Sequence, residues 1–301
     1  MTDHDPAADA PTATPQERFD SAPILIVTRF SFLGDSGWKS EASRDAELLF
    51  EPYRLKRRLE LFRAIALPSL KAQSDQGFHH FILTSDQLPG WAMTELRDAC
   101  MEAYGDESRF SIVAGAPGRA RRALRFFMER KFTQKIVVQV VLDDDDGLAS
   151  NFIADMRAEL TLLDEGPLPE DFYPLPYMIS FANGYGMSLR DDAGGECAIY
   201  RHYYAFINLG LTMIGTRSGK NVLAIAHKRS QQQYGGKLVE SGPMFLRCIH
   251  DVNDSRVKLG QHWEEVENWQ QDSALRHQFP GLFAVDAPWA AELQQKSAKP
   301  S

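Results

Sequence analysis

Cysteine is scarce in this chain. Cys100, Cys197 and Cys248 are the only three in 301 residues. Their odd number and wide separation exclude zinc-site spacing and a disulfide framework, and leave buried free thiols in a reducing compartment as the expectation. Long hydrophobic runs are missing too, since no apolar stretch approaches the roughly 20 residues that a spanning helix needs. The start, Met1-Thr2-Asp3-His4-Asp5, has no basic region, and no apolar core precedes Pro23. It does not read as a secretory signal, and a cytoplasmic protein is expected. Positive charge is in deficit. Lys and Arg number 33 against 41 Asp and Glu, for a net charge of −8, which argues against nonspecific nucleic-acid binding. No glycine-rich cofactor loop occurs: Gly184 and Gly186 have the first spacing of a dinucleotide fingerprint but not the rest.

What the chain does have is a β-branched run that ends in carboxylates. Val137-Val138-Gln139-Val140-Val141-Leu142 leads into Asp143-Asp144-Asp145-Asp146 and then Gly147. The apolar part is too short for a comfortable helix and has the valine content of a strand buried on both faces. Such strands belong to α/β sheets, whose ligands gather beyond the carboxyl ends of the strands. Adjacent carboxylates repel and raise each other's pKa unless a cation neutralises them. Oxygen ligands at that density suit Mg2+ or Mn2+. A solvated acidic loop is the bland alternative.

The remaining chain supports a sheet around this run. Residues 1–22 are rich in Ala, Pro, Thr and Asp, and disorder is expected there. Ile24 to Val27 reads as a first buried strand ending at Thr28-Arg29, followed by a Gly/Ser loop to Ser43. Leu55, Leu59, Phe62, Ala66 and Leu70 mark one face of a helix, with Arg54, Lys56, Arg57 and Arg63 largely off it. Pro68 should kink or end that helix. Strands at 78–84, 110–113 and 136–142 alternate with helices at 91–103 and 119–131, the pattern of βαβ units and a mainly parallel sheet. After a helix at 151–163 and a proline-rich loop, 177–182 and 185–189 read as a hairpin turning on Asn183-Gly184. Further strands are expected at 198–204, 206–214 and 244–249, a helix at 221–233, and a loop at 235–242. The expected organisation is one domain over 23–290, with halves 23–147 and 148–290 meeting at the acidic run, and a polar tail at 291–301.

A parallel half followed by an antiparallel, loop-rich half is the layout of a GT-A-like nucleotide-diphospho-sugar transferase. Particular residues carry a resemblance as well. Thr28-Arg29-Phe30, the stretch Arg57 to Phe62 with Leu67-Pro68-Ser69-Leu70 and Gln73-Ser74-Asp75, Leu83-Thr84-Ser85, Leu142 to Asp146, and Gly242-Pro243-Met244 leading to His250 and Asn253 resemble the bacterial rhamnosyltransferase family. The resemblance spans about Pro23 to Asn253. It implies the GT-A fold, a metal-dependent DxD site and transfer of a sugar, rhamnose by the family's name. The donor would be a nucleotide-diphosphate sugar and the acceptor a glycan or lipid-linked acceptor. Asp251 follows His250 where such families carry another residue.

Chemistry assigns candidate roles. Asp143 and Asp145 form the DxD pair, since alternate residues of an extended segment face the same way. Asp146 is a third candidate ligand and His250 a distal one. Asp144 is read either as contacting the nucleotide or as capping the next helix. Arg29, Arg119 and Arg122, with their neighbours Arg121 and Arg125, are candidates for the diphosphate. Ser85 and Asp86 are candidates for the nucleoside, although a turn explains them equally. Phe30 stacks on a base or fills the core. Glu240 is the candidate catalytic base, with Asp191 and Asp192 as rivals. His202, His227 and His262 are read as structural. Three alternatives compete. A calcium loop fails because Leu142 would occupy its first ligand position. A haloacid-dehalogenase-like phosphatase matches Asp144-Asp145-Asp146-Gly147 but finds Leu148 where its motif has threonine. A non-catalytic nucleotide-sugar or glycan-binding module would use the same groups.

Overall fold

The computed structural model describes residues 18–35, 44–189, 197–226, 230–250, 263–284, 287 and 289. The valine run forms the central strand of a seven-stranded sheet. In chain order, β1 (Ile24–Arg29) is followed by the short β2 (Gly34–Asp35), α1 (Ala46–Leu49) and α2 (Pro52–Leu61). The Asp45 and Glu51 side chains accept backbone N–H groups in the first turns of these helices, which otherwise lack partners. Sequence reasoning ends or kinks α2 near Pro68. The chain instead widens into a π-helical turn at Phe62–Ala66 and runs on as α3 (Leu67–Lys71). A proline ring inside an α-helix collides with the carbonyl four residues back and supplies no N–H. A π turn just before the ring relaxes both demands.

The βαβ alternation holds through the first half. β3 (Phe78–Ser85), α4 (Gly90–Tyr104), β4 (Phe110–Gly115), the short β5 (Gly118–Arg119), α5 (Ala120–Lys131) and β6 (Ile136–Val141) follow in turn. α4 stops at Gly105, whose φ of 66° is the left-handed cap that glycine adopts without a Cβ penalty. β7 (Gly147–Leu148) and α6 (Phe152–Glu165) then lead to β8 (Tyr177–Phe181), β9 (Asn183–Ser188), β10 (Ala198–Tyr203) and β11 (Thr212–Thr216). The described chain closes with α7 (Ser230–Gln233), β12 (Gly236–Val239), β13 (Phe245–Ile249), β14 (Glu264–Glu265) and α8 (Ser273–Gln278).

The central sheet has the order β12-β8-β11-β6-β1-β3-β4. β11 runs antiparallel between β6 and β8, while the other neighbouring strands pair in parallel. β6 is buried along its whole length. Val138 and Val140 face one core layer, with residues of α2, α3, α4 and α6; Val137 and Val141 face the other, with Leu124 and Met128 of α5. That two-sided burial is what a β-branched run without polar alternation specifies. The fold class is therefore α/β with a mostly parallel central sheet. The three cysteines are free and buried. No helix among the described residues is long and apolar enough to cross a membrane.

The second half departs from the sequence reading. β8 and β9 do not form a hairpin. β8 pairs with β11 and β12 in the central sheet, whereas β9 pairs with β10 and β13 in a five-stranded sheet ordered β14-β10-β9-β13-β7. Asn183 and Gly184 lie inside β9 rather than in a turn. Asn183 Nδ2 donates to the carbonyls of Glu240 and Ser241 at 3.0 and 2.9 Å, which ties the two sheets together. Gly184 makes room for a ring, since a Cβ there would stand 2.4 Å from Phe245. The expected loop at 235–242 holds β12, an edge strand, and the expected strand at 206–214 begins only at Thr212. The helix expected at 221–233 is reduced to a 3-10 turn at Val222–Ala224 and the short α7. Gly184→Val should force the Phe245 ring or the β9 backbone to move. Overpacking of this kind costs about 1–3 kcal/mol, measurable as a lower denaturation midpoint in urea.

Candidate active site

The acidic run leaves β6 at the edge where β1, β3, β4, β8 and β12 also end, because all of these strands point the same way as β6. Gly147 then enters β7, which pairs with β13 of the second sheet. The four aspartates therefore form the seam between the two sheets. The segment is not extended. The Asp146 N–H donates to the Asp143 carbonyl at 3.3 Å and closes a turn. The expectation that Asp143 and Asp145 face the same way fails for that reason, because a period of two holds only in extended chain.

The side chains fan out to different partners. Asp143 is the most open, with its side chain 25% exposed, and its Oδ1 accepts from Arg29 Nη2 at 3.0 Å. Asp144 is fully buried and takes both prongs of the equally buried Arg58, Nε at 2.9 Å and Nη2 more closely. Burial outweighs the pull of the Arg58 guanidinium and leaves the Asp144 carboxyl raised to about 7. A two-pronged contact to a group that stays charged fixes Asp144 as the carboxylate. Asp145 Oδ2 accepts from His250 Nε2 at 2.8 Å. Burial raises Asp145, but the His250 hydrogen bond and the Arg58 charge outweigh it and bring the carboxyl down to about 2. Asp146 Oδ1 accepts the Cys248 N–H at 2.8 Å. Its burial, with the charges of Asp145 and Asp143, pushes it well above the usual carboxylate range.

The pieces around the turn hold it in place. Gln73 Nε2 donates to the Ala149 carbonyl at 2.7 Å and its Oε1 accepts the Ile153 N–H at 3.0 Å. Ser74 N–H donates to the Ser150 carbonyl, and Asp75 pairs with Arg157. The Gln73-Ser74-Asp75 stretch thus clamps the exit from the acidic run onto α3 and α6.

Among the described residues, no three His, Cys, Asp or Glu side chains converge on one metal position. The Asp145–His250 pair still offers one oxygen and one nitrogen donor, drawn from residues 105 positions apart in the chain. Cations such as Mg2+ commonly use one or two protein ligands and complete their shell with substrate phosphates and water. The pair fits a site of that kind and not an all-protein cage.

The other candidates are placed as follows. Arg29 is buried at the end of β1 against Asp143. Ser85 is buried, with its Oγ accepting the Gln87 N–H, and the exposed Asp86 begins the turn that this bond closes. Phe30 is a core residue against Phe62. Asp144 does not cap α6, whose N-cap position is Asn151, because its carboxylate is spent on Arg58. Arg119 and Arg122 are exposed, Arg119 in β5 beside β2 and Arg122 over the Phe126 ring. Glu240 is exposed at the end of β12, three strands from β6 along the same edge, and accepts from the Tyr203 hydroxyl at 2.7 Å. His202 is buried and stacks on Trp263. Asp191, Asp192, His227, Asp251, Asn253 and His262 lie outside the described residues.

Sequence reasoning passed over Arg58 and Tyr203. The signal for Arg58 was available, since it falls three residues after Leu55 and four before Phe62, on the apolar stripe itself. A charge on that stripe demands a buried partner. Tyr203 had no comparable signal, because its contact with Glu240 crosses from one sheet to the other.

A family model described as "Putative rhamnosyl transferase" matches residues 23–262. No curated protein matches the chain. Among solved structures, one described as a "putative nucleotide-diphospho-sugar transferase" from Desulfovibrio desulfuricans G20 is similar at 11% identity and TM-score 0.33, covering 92% of this chain and 95% of that one. HddC from Yersinia pseudotuberculosis gives 9% identity and TM-score 0.40 over 75% and 93% of the two chains. TarS 1-349 from S. aureus gives 8% identity and TM-score 0.36 over 75% of this chain and 60% of that one, so the match spans less than two thirds of it.

Two outcomes follow from the burial of these charges. Arg58→Ala leaves the Asp144 carboxylate without its partner and should lose about 3–5 kcal/mol, whereas Arg58→Met combined with Asp144→Leu should lose less, read from urea denaturation. Asp146→Asn keeps an acceptor for the Cys248 N–H but removes a carboxyl whose folded pKa lies above its unfolded value. Such a group loses stability as pH rises above the unfolded carboxylate value, so the variant should gain on the parent as pH rises above about 4.

Proposed function

The chain belongs to the putative rhamnosyl transferase family, and from that premise we propose that it is a metal-dependent glycosyltransferase. It moves a sugar, rhamnose by the family's description, from a nucleotide-diphosphate donor to a glycan or lipid-linked acceptor. The observation that carries this reading is the Asp145–His250 pair at the carboxyl end of the central strand, beside the more open Asp143. An acidic turn at that edge of an α/β sheet is where a nucleotide is expected to bind.

The chemical demand is charge. Breaking a sugar–diphosphate bond leaves negative charge on the departing diphosphate while the sugar passes through an oxocarbenium-like state. Asp145 and His250 would hold Mg2+ or Mn2+, which supplies Lewis-acid stabilisation when bound. Arg29, seated against Asp143 at the end of β1, adds a fixed guanidinium at the same edge. Asp144 acts at one remove: its contact with Arg58 holds the turn that aims its neighbours. Glu240 serves as the base, its Oε atoms taking the proton from the acceptor hydroxyl as the new bond forms. The Tyr203 hydroxyl orients that carboxylate from one side.

Asp145→Ala and His250→Ala should each lower turnover of nucleotide-sugars with Mn2+ by about a hundredfold, the scale of one lost electrostatic contact to a transition state. Both should also weaken Mn2+-dependent binding of nucleoside diphosphate in calorimetry. Glu240→Gln should reduce turnover and leave donor binding intact. Parent-like turnover in Asp145→Ala would sink the reading. So would hydrolysis of simple phosphate esters by a protein that ignores every nucleotide-sugar.

A further inference from the structure

Residues 118–135 hold seven Lys or Arg and one Glu, in a chain whose net charge is −8. α5 buries Ala120, Leu124 and Met128 against the sheet and turns Arg121, Arg122, Arg125, Arg130 and Lys131 to solvent. None of these five has a carboxylate within ion-pair distance among the described residues. Buried arginines elsewhere do, as Arg29 and Arg58 illustrate. In the middle of the row stands Phe126, 51% exposed, with the Arg122 guanidinium 5.4 Å from its ring centre.

We propose that the outer face of α5 docks the protein on an anionic lipid bilayer. The attraction is local, because charges more than about 8 Å away are screened at physiological salt, so the acidic balance of the whole chain does not cancel it. Basic residues at such a surface contribute additively, and an apolar side chain among them reaches the acyl boundary. A duplex would use the cations, but its phosphate backbone has no use for a phenylalanine at the centre of the row. α5 begins where β5 pairs with β2, beyond the carboxyl end of β1. Docking on this face is surface attachment and does not depend on the reaction proposed above.

The test is sedimentation of the full chain with phosphatidylserine–phosphatidylcholine vesicles, with phosphatidylcholine vesicles as reference. The parent should bind the anionic vesicles, release at high salt and ignore the neutral ones. The combined Arg125→Glu, Arg130→Glu and Lys131→Glu variant should bind about a hundredfold more weakly, from the additive contribution of each charge. Replacing the same three positions with Lys, Lys and Arg should preserve binding. Phe126→Ser should weaken it severalfold, with circular dichroism checking that each variant is folded. Equal binding by parent and charge-reversed protein, equal binding to neutral vesicles, or tighter binding to a duplex oligonucleotide than to anionic vesicles would each overturn the proposal.

Discussion

The candidate site depends on one buried ion pair. Arg58 and Asp144 lie at 2% and 0% side-chain exposure and meet in a two-pronged contact. A pair of this kind adds little net stability, because desolvating two charges offsets most of their attraction. Its effect is geometric. It ties α2 to the exit of β6 and commits the second aspartate of the run to the interior. The first and third are thereby turned towards Arg29 and His250. An apolar pair could fill the same volume, but it would not fix the direction of the turn.

Four identical residues in a row become four different chemical groups through their surroundings. Asp143 is partly open and paired with Arg29. Asp145 is drawn below the usual carboxylate range, while Asp146, one residue on, is pushed above it. Both are buried, so desolvation does not separate them. The separation comes from what each meets: the His250 imidazole and the Arg58 charge for one, neighbouring carboxylates and a backbone N–H for the other.

The second constraint is the seam between the sheets. A single residue, Ala182, separates β8 in the central sheet from β9 in the other. The acidic turn makes the other crossing, from β6 to β7, and the β7 pairing brings β13, and with it His250, to that turn. Gly147 leaves no slack, since a Cβ there would stand 3.3 Å from Ile65 in the π-helical turn.

Much of the first half was legible in the sequence. Valine-rich strands buried on both faces, helices with one apolar stripe and an acidic run at a strand end follow from local composition and period. β1, β3, β6, α4 and α5 fall within about two residues of where those rules place them. Asn183-Gly184 misled for a physical reason: that dipeptide favours a turn when nothing else competes, but here pairing with β10 and β13 and the Phe245 ring over Gly184 outweigh local preference. Arg58 was readable from its place on the stripe, and its partner was not. By itself the sequence determined that carboxylates would crowd the end of a central buried strand. Only the tertiary structure decided which of them meets Arg29, Arg58 or His250. Those contacts join residues 86 to 114 positions apart, and no local period encodes them.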